Sequence, residues 1–387
     1  VGTSLFVKGA PESVLPLCGT AAAAAVQEVE GMASRGLRII AVASRDLPGP
    51  VQDWQERSAA EVESDLELLG LIALHDPPRP DVEDVIRTAR DAGIRVGMIT
   101  GDHPATAAAI AREIGLMGSP EMVLEGSQLP DDEQILGALL DRDGIVVSRV
   151  SPEQKLRVAR ALQGRGHIVA MTGDGVNDGP ALQEADIGVA MGLTGTDVAR
   201  EAADLVLLDD HFASIVAAIE QGRATYSNIH RFLTYHLTDN VAELTPFVIW
   251  ALSGGQFPLA IGVLQILALD IGTDLLPALA LGGEKPSKGM LRRPPERRHL
   301  MDRRLMFRVF CVLGPVEAAI EMTAFSAVLF GGGWTRGDPH DVGLLMTASG
   351  AAFTAVVLGQ LANAFACRSA TLPPWKLGWF TNRLLVW

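Results

Sequence analysis

Up to about residue 230 the apolar positions come in short runs separated by amphipathic stretches, and beyond it they gather into four long stretches. The short runs predict strands: "SLFVKGAPE", "GLRIIAVASRDL", "LELLGLIALHDPPRP" (66–80, stopped by its prolines), "IRVGMITGD", "HIVAMTGD", "IGVAMG" and "LVLLDD". Between them, the Ala-rich segment 21–34, "DVEDVIRTARDAG", "PATAAAIAREIGL" and "SPEQKLRVARALQGRG" carry helical spacing. Strands alternating with helices imply a parallel sheet covered on both faces, in which ligands bind beyond the carboxyl ends of the strands. Both "TGD" segments lie at such ends.

From "FASIVAAIEQGRATYSNIHRFLTYHLTDNVAELTPFVIWAL" (212–252) the helical pattern continues with no break before Pro246. Forty helical residues run about 60 Å, roughly twice a bilayer core, so one helix can stand partly in water and partly in lipid. Four spans are expected at about 232–252, 257–281, 307–331 and 342–366. A basic loop, 282–306, then falls on the same side as the α/β part, together with Arg368, Lys376 and Arg383.

Composition sharpens this picture. Hydrophobic residues make up 48% and mean hydropathy is +0.24, too apolar for an ordinary soluble protein. Net charge is −14, yet residues 284–308 hold nine Lys/Arg against three acids. An acidic chain with one basic patch beside apolar spans argues against nucleic acid and for a lipid bilayer, with the patch in the cytoplasm. Cys18, Cys311 and Cys367 are scattered, which excludes a disulfide framework and a soft-metal site. The chain opens on Val1 without a signal peptide and closes on "NRLLVW", which reads as the start of another apolar span. The expectation is a longer parent, cut at both ends.

The loop "MTGDGVNDGPAL" (171–182) crowds Asp174, Asn177 and Asp178 among glycines directly after a strand. Glycines let the backbone turn sharply. Mg²⁺ takes a few hard oxygens and keeps several waters, so the carboxylates of Asp174 and Asp178 plus a phosphate suit it; the bland alternative is turn chemistry capping the next helix. "MITGDHPAT" sets Thr100 and the amides of Gly101 and Asp102 where a helix begins, a phosphate cradle or an ordinary N-cap. Lys155, in the first turn of the next helix but one, is either solvated or a phosphate partner. The order Thr loop, Lys, paired-Asp loop matches the last three motifs of the haloacid-dehalogenase-like phosphotransferases. Their first motif, an Asp nucleophile on an earlier strand, is missing. "DRDGI" (141–145) imitates it, but follows the Thr loop and continues the helical "ILGALL", and is set aside.

The match then narrows. "MTGDGVNDGPALQEADIGVAMGLTGTDVAREAADLVLLDDHFASIVAAIEQGR" resembles the hinge region of P-type ATPases, and "KGAPE", "GLR", "DPPR", "TGD" and the Lys of "SPEQK" occur in that family's order. Gly179 stands where the family usually has Ala. The resemblance implies a C-terminal fragment without the phosphorylated Asp, the actuator domain and the first four membrane helices. Its parts would be the C-terminal part of a nucleotide-binding α+β domain (1–68), a haloacid-dehalogenase-like, Rossmann-type α/β phosphorylation domain (69–211), a stalk helix (212–231) and an all-α transmembrane region (232–387). It implies Lys8 and Arg38 at ATP, Thr100 and Lys155 at the aspartyl phosphate, Asp174 on Mg²⁺, and Asn177 and Asp178 completing that site. The fragment alone is expected to be inactive.

Charged groups inside a bilayer are expensive and usually functional. Asn240 and Glu243 lie three apart on one helix, and Asp270, Thr273 and Asp274 share a face of the next span. These oxygens describe a cage for a transported cation. The positions resemble the ion-binding fifth and sixth helices of calcium and sodium/potassium pumps, with Gln360 and Asn363 on the eighth. Glu317 and Glu321, one turn apart in the span between, are less readable. The implied activity is ATP-driven transport of a cation, calcium first and sodium or potassium second. The alternatives are a membrane-anchored phosphohydrolase of the same superfamily and a non-catalytic truncated subunit.

Overall fold

In the computed structural model, β1 (Thr3–Gly9), β2 (Arg38–Leu47) and β3 (Glu67–Leu74) pair as an antiparallel sheet in the order β1–β2–β3, with helix α1 (Ala22–Ala33) between the first two strands. Alternation along β2 sends Ala41 and Ala43 into a core with Val14, Leu15, Val29 and Leu66. The structure describes all residues except 1–2, 20–21, 52–53, 55–56, 76, 119, 288, 296–298, 336–340, 370–371 and 387. The boundary expected between 68 and 69 falls inside β3. That strand is bonded to β2 from Ser44↔Glu67 to Arg38↔Leu74, so the first layer runs through Leu74.

The alternating pattern that follows folds as expected in kind. In chain order come α2 (Val82–Asp91), β4 (Met98–Ile99), α3 (Pro104–Glu113), β5 (Val123–Glu125), α4 (Glu133–Leu140), β6 (Val146–Ser148), α5 (Pro152–Gln163), β7 (Ala170–Gly173), α6 (Gly179–Glu184), β8 (Ile187–Met191), α7 (Asp197–Ala202) and β9 (Leu205–Leu207). The strands are parallel, but they form two three-stranded sheets, β4–β6–β5 and β7–β8–β9, rather than one. Among the described residues β4 and β7 are edge strands, and each leads into a "TGD" loop. Val146 and Val147, on the central strand β6, are fully buried. α5 starts sharply because Ser151 and Gln154 form a reciprocal capping box and Pro152 opens the helix, which satisfies the orphan amides of the first turn. At Gly188 on β8 a Cβ would lie 2.4 Å from the Leu182 carbonyl oxygen of α6, so only glycine lets that helix lie on the strand.

These elements belong to one of two units, Val1–Ala217 with Leu291–Pro294. The other is Ala218–Met290 with Pro295–Trp387. Helix α8 is uninterrupted over Phe212–Leu252 and contains Pro246. It is followed by α9 (Val263–Gly282), α10 (303–331) and α11 (Val342–Cys367). Helices α9 and α10 each include a π-helical stretch, Asp270–Asp274 and Arg308–Leu313. Of the four expected spans, Val263–Gly282 and Val342–Cys367 are long and apolar enough to cross a membrane, with mean hydropathy 1.6 and 1.8. The stretches 232–252 and 307–331 are helical too, but buried acids lower their apolarity. The second unit is turned inside out relative to a water-soluble fold. Leu264, Leu279 and Met346 are exposed by 81%, 72% and 71%, while Asp239, Glu321 and Gln360 are buried. Lipid is the medium that favours such an exterior.

A polar knot closes one end of this unit. Arg368, at the end of α11, reaches Glu284 twice, Nη2 to Oε1 at 2.7 Å and Nε to Oε2 at 3.2 Å. Asn382 donates to the same carboxylate at 2.7 Å, and Asn228 on α8 donates to the Glu284 carbonyl at 2.8 Å. Burial pushes the Glu284 carboxyl up, but Arg368 and Asn382 hold it below its ordinary value of 4.5. Its contribution to stability is therefore full above pH 4.5 and lost as pH falls through the lower folded value. Arg368→Ala should destabilise the helical unit by about 3–5 kcal/mol, because it strands a buried carboxylate. Thermal unfolding in detergent measures this, and Glu284→Gln should remove the acid-side decline.

Candidate functional site

The two "TGD" loops are tied together through the first turn of α5. Thr100 Oγ1 donates to Asp102 Oδ2 at 2.9 Å and accepts from the Asp102 amide at 3.1 Å. The amides of Arg149 and Val150 donate to the carbonyls of Asp102 and Thr100, each at 3.1 Å, docking this loop onto the segment that enters α5. Arg149 does so with φ +51°, a left-handed conformation that costs a non-glycine residue on the order of 1–2 kcal/mol. One turn into α5, Lys155 Nζ meets Asp178 Oδ1 at 2.6 Å.

Asp178 is the internal clamp of the second loop. Its Oδ2 accepts from the amides of Gly175 at 3.1 Å and Asp174 at 3.3 Å. Gly173 is required here, because a Cβ would lie 2.4 Å from that of Asp178. Burial pushes the Asp178 carboxyl up, but Lys155 and the two amides outweigh it and hold the group below its ordinary value. Asp174 and Asn177 are exposed at the mouth of the loop, and the Asp174 carboxylate takes no part in these bonds. One free carboxylate, one amide oxygen and open access for water fit Mg²⁺, which dehydrates reluctantly. Gly101 is open as well, with nothing within 4 Å of where a Cβ would stand. Thr100 and Asp102 are thus bonded to the segment that enters α5, and Lys155 and Asp174 to Asp178, with Gly101 and Asn177 the open positions of the same two loops. The decoy acids are committed elsewhere: Asp141 binds Arg95, Arg165 and His167, and Asp143 binds Arg90.

Asp210 is a support that sequence reasoning missed. It is 3% exposed and accepts from the amides of Leu193 and Thr194, each at 2.9 Å, and from Thr194 Oγ1 at 2.7 Å. The loop it holds returns the Thr196 amide to the Asp174 carbonyl at 2.8 Å. The signal was present as the second acid of "LVLLDD", but only the fold shows what it caps.

Lys8 and Arg38 share a face of the antiparallel sheet. Lys8 pairs with Val42, and Val42, Ile40 and Arg38 alternate onto one side. That side is open and also presents Phe6, Ile72 and Leu74, 69%, 50% and 47% exposed. Four strand residues separate the two basic positions by about 13 Å. An apolar strip flanked by two cations suits a base at one end and phosphates at the other.

Among the described residues of the helical unit five carboxylates are buried: Asp239, Glu243, Asp274, Glu317 and Glu321. Gln360 Nε2 donates to Glu243 Oε1 at 3.1 Å, and Thr273 Oγ1 donates to Gln360 Oε1. Asn363 Nδ2 donates to Asp239 Oδ1 at 3.3 Å. His236 Nδ1 lies 2.5 Å from Asp274 Oδ2, and Tyr235 donates to the Thr273 carbonyl at 2.6 Å. Of the expected residues the structure bonds Glu243, Gln360 and Thr273 in one series, Asn363 to Asp239 and Asp274 to His236, and it leaves two others outside these bonds. Asn240 is exposed and donates back to the His236 carbonyl. Asp239 faces inward in its place, because the buried stripe of α8 runs through Tyr235, Asp239, Ala242, Glu243 and Pro246. Asp270 is exposed at the start of the π turn, although its charge still reaches Glu243 and Asp274. Oxygens of Asp239, Asp274, Glu317 and Glu321 have no hydrogen-bond partner. Among the described residues no three of these acids close into a ready metal shell.

Known proteins resemble both halves. Residues 258–387 match the family described as cation transporting ATPase, C-terminus, and residues 18–186 match haloacid dehalogenase-like hydrolase. The chain is 42% identical over 342 residues to a calcium-transporting ATPase of Bacillus subtilis, covering 88% of this chain and 37% of that protein. It is 38% identical to calcium-transporting ATPase 1 of Yarrowia lipolytica, with 99% and 41% covered. It is 33% identical to the sodium/potassium-transporting ATPase subunit alpha of Hydra vulgaris, with 98% and 44% covered. The chain spans about two fifths of the length of these curated relatives.

The amides of Leu193 and Thr194 hold Asp210 at about 2, against an ordinary value of 3.8, although burial alone would raise it. The hinge loop should stay ordered above pH 3.8 and loosen as pH falls toward 2. Amide hydrogen exchange at Leu193 and Thr194 reads this, and Asp210→Ala should expose both amides already at neutral pH.

Proposed function

Because the chain belongs to the cation-transporting P-type ATPases, we propose that it carries the phosphoryl-handling loops and the ion cage of a pump that moves a hard cation across a bilayer through an aspartyl phosphate. The observation that carries this reading is the set of five buried carboxylates in a unit with an apolar exterior, in the same chain as the Lys155–Asp178 loop. A membrane-anchored phosphohydrolase would need the loop but has no use for the carboxylates.

On this reading Thr100 and the amides of Gly101 and Asp102 hold the oxygens of the transferred phosphoryl group. Lys155 offsets the charge spread over them, which is most of what catalysis of phosphoryl transfer requires. Asp178 aims Lys155 and closes the loop, leaving Asp174 as the carboxylate that holds Mg²⁺, with Asn177 beside it. Mg²⁺ when bound would supply Lewis-acid neutralisation of phosphate oxygens. The sequence contains no acceptor-aspartate motif, and on this reading the chain alone does not form the phosphoenzyme. ATP is taken by the open face that bears Lys8 and Arg38. Helix α8 starts two residues after Asp210 and carries Asp239 and Glu243, so one helix joins the hinge loop to the cage.

The cage residues are Asp239, Glu243, Thr273, Asp274 and Gln360, with Asp270 and Asn363 at its margin. Several carboxylates, with His236 the one basic side chain bonded to them among the described residues, favour a divalent cation, and calcium is the ion we assign. The basic loop 282–306 sets the α/β unit and itself on the cytoplasmic side of the plasma or inner membrane.

The test is phosphorylation of the full-length pump by γ-labelled ATP across a series of cations. Calcium should support it best, and Asp174→Asn should lower Mg²⁺-dependent turnover by at least about 100-fold. Asp274→Asn should spare ATP binding while abolishing calcium-dependent phosphorylation. Undiminished turnover in Asp174→Asn would refute the assignment of the loop, and cation-independent phosphorylation that ignores Asp274→Asn would refute the cage.

A further inference from the structure

Glu317 and Glu321 lie one turn apart on α10, 6% and 0% exposed. Both oxygens of Glu321 and Oε1 of Glu317 have no hydrogen-bond partner. Adjacent like charges at this spacing are unfavourable even on a surface in water, and here both also feel the charge of Glu243. Among the described residues no Lys, Arg or His pairs with either glutamate. Buried carboxylates left this way cost several kcal/mol each unless something neutralises them.

The surrounding helices are shaped for this pair. Gly314, one turn before Glu317, lets α10 approach α8 so closely that a Cβ would lie 2.6 Å from Val241. Gly359 on α11 leaves the space beside Glu317, where a Cβ would stand 3.3 Å from Cγ and 3.4 Å from Oε1. By contrast the polar residues of α11 are spent. Gln360 gives its amide nitrogen to Glu243 and its oxygen to Thr273, and Asn363 bonds Asp239 and Cys367. Among the described residues three of the uncommitted carboxylate oxygens are on α10, against one each on Asp239 and Asp274.

We infer that Glu317 and Glu321, sharing Glu243 with the neighbouring cage, form a second site for a divalent, oxygen-seeking cation. The inference rests on the ion-pump reading, but places the ligands on a helix that the sequence left unassigned. Among the described residues these acids do not close into a ready metal shell in this structure. A bound divalent ion would draw the flexible glutamates inward and complete its shell with water and backbone carbonyls.

Calcium binding by the full chain in lipid nanodiscs, measured with ⁴⁵Ca²⁺ and by calorimetry, tests this. The wild-type chain should bind two ions. E317Q/E321Q should bind one, and that remaining ion should be lost on adding Asp274→Asn, which also shows that the double variant is folded. Gly359→Ala, which keeps every carboxylate, should weaken the α10 site about tenfold. Unchanged number and affinity in E317Q/E321Q overturns the α10 site while leaving the cage. No calcium binding by the wild type, with Asp274→Asn making no difference, overturns both.

Discussion

The helical unit is organised by the cost of taking carboxylates out of water. Five acids in the interior of a lipid-facing bundle would each forfeit several kcal/mol if charged and unpartnered. Gln360, Asn363, Thr273 and His236 cover part of that cost for Glu243, Asp239 and Asp274. What remains uncovered defines where positive charge must enter. The same demand explains why Arg368 does not stray into this interior. It is fixed instead by Glu284, the Gly378 carbonyl and Thr381 beyond the ends of the spans.

Local helix irregularity serves this arrangement. The helix is π-helical over Asp270–Asp274, with Asp274 buried and Asp270 exposed. The small residues Gly314 and Gly359 do the complementary work on the neighbouring helices by allowing close approach. Where backbones come that near, even one methyl group is felt.

In the α/β unit the chemistry is arranged in layers. At the mouths of the two loops stand Gly101 and Asp174, which are exposed, and Thr100, which is half-buried. Behind them Asp178 and Lys155 fix the loop, and behind those Asp210 fixes the loop that returns to the Asp174 carbonyl. Each outer group thus rests on charge-assisted bonds rather than on apolar packing. This keeps a glycine-rich loop ordered without closing its mouth. The strained Arg149 sits where two such loops must meet, a place where backbone strain is commonly concentrated.

By itself the sequence determined most of the strands and helices, where the soluble pattern ends, and which glycine-rich loops crowd carboxylates and amides at strand ends. These features are local, written as periodicity and as motifs within a dozen residues. It also marked most of the cage, because carboxylates in apolar stretches stand out wherever they face. Tertiary structure alone decided which side of a helix is inside. Asp239 and Asn240 lie four and three residues before Glu243, and either spacing shares its face; packing of Tyr235, Ala242 and Pro246 chose Asp239. It likewise placed β3 with the first sheet, split the parallel strands into two sheets, and turned Glu317 and Glu321 inward. Each of those outcomes depends on partners distant in sequence, and no local pattern can encode the contact that settles them.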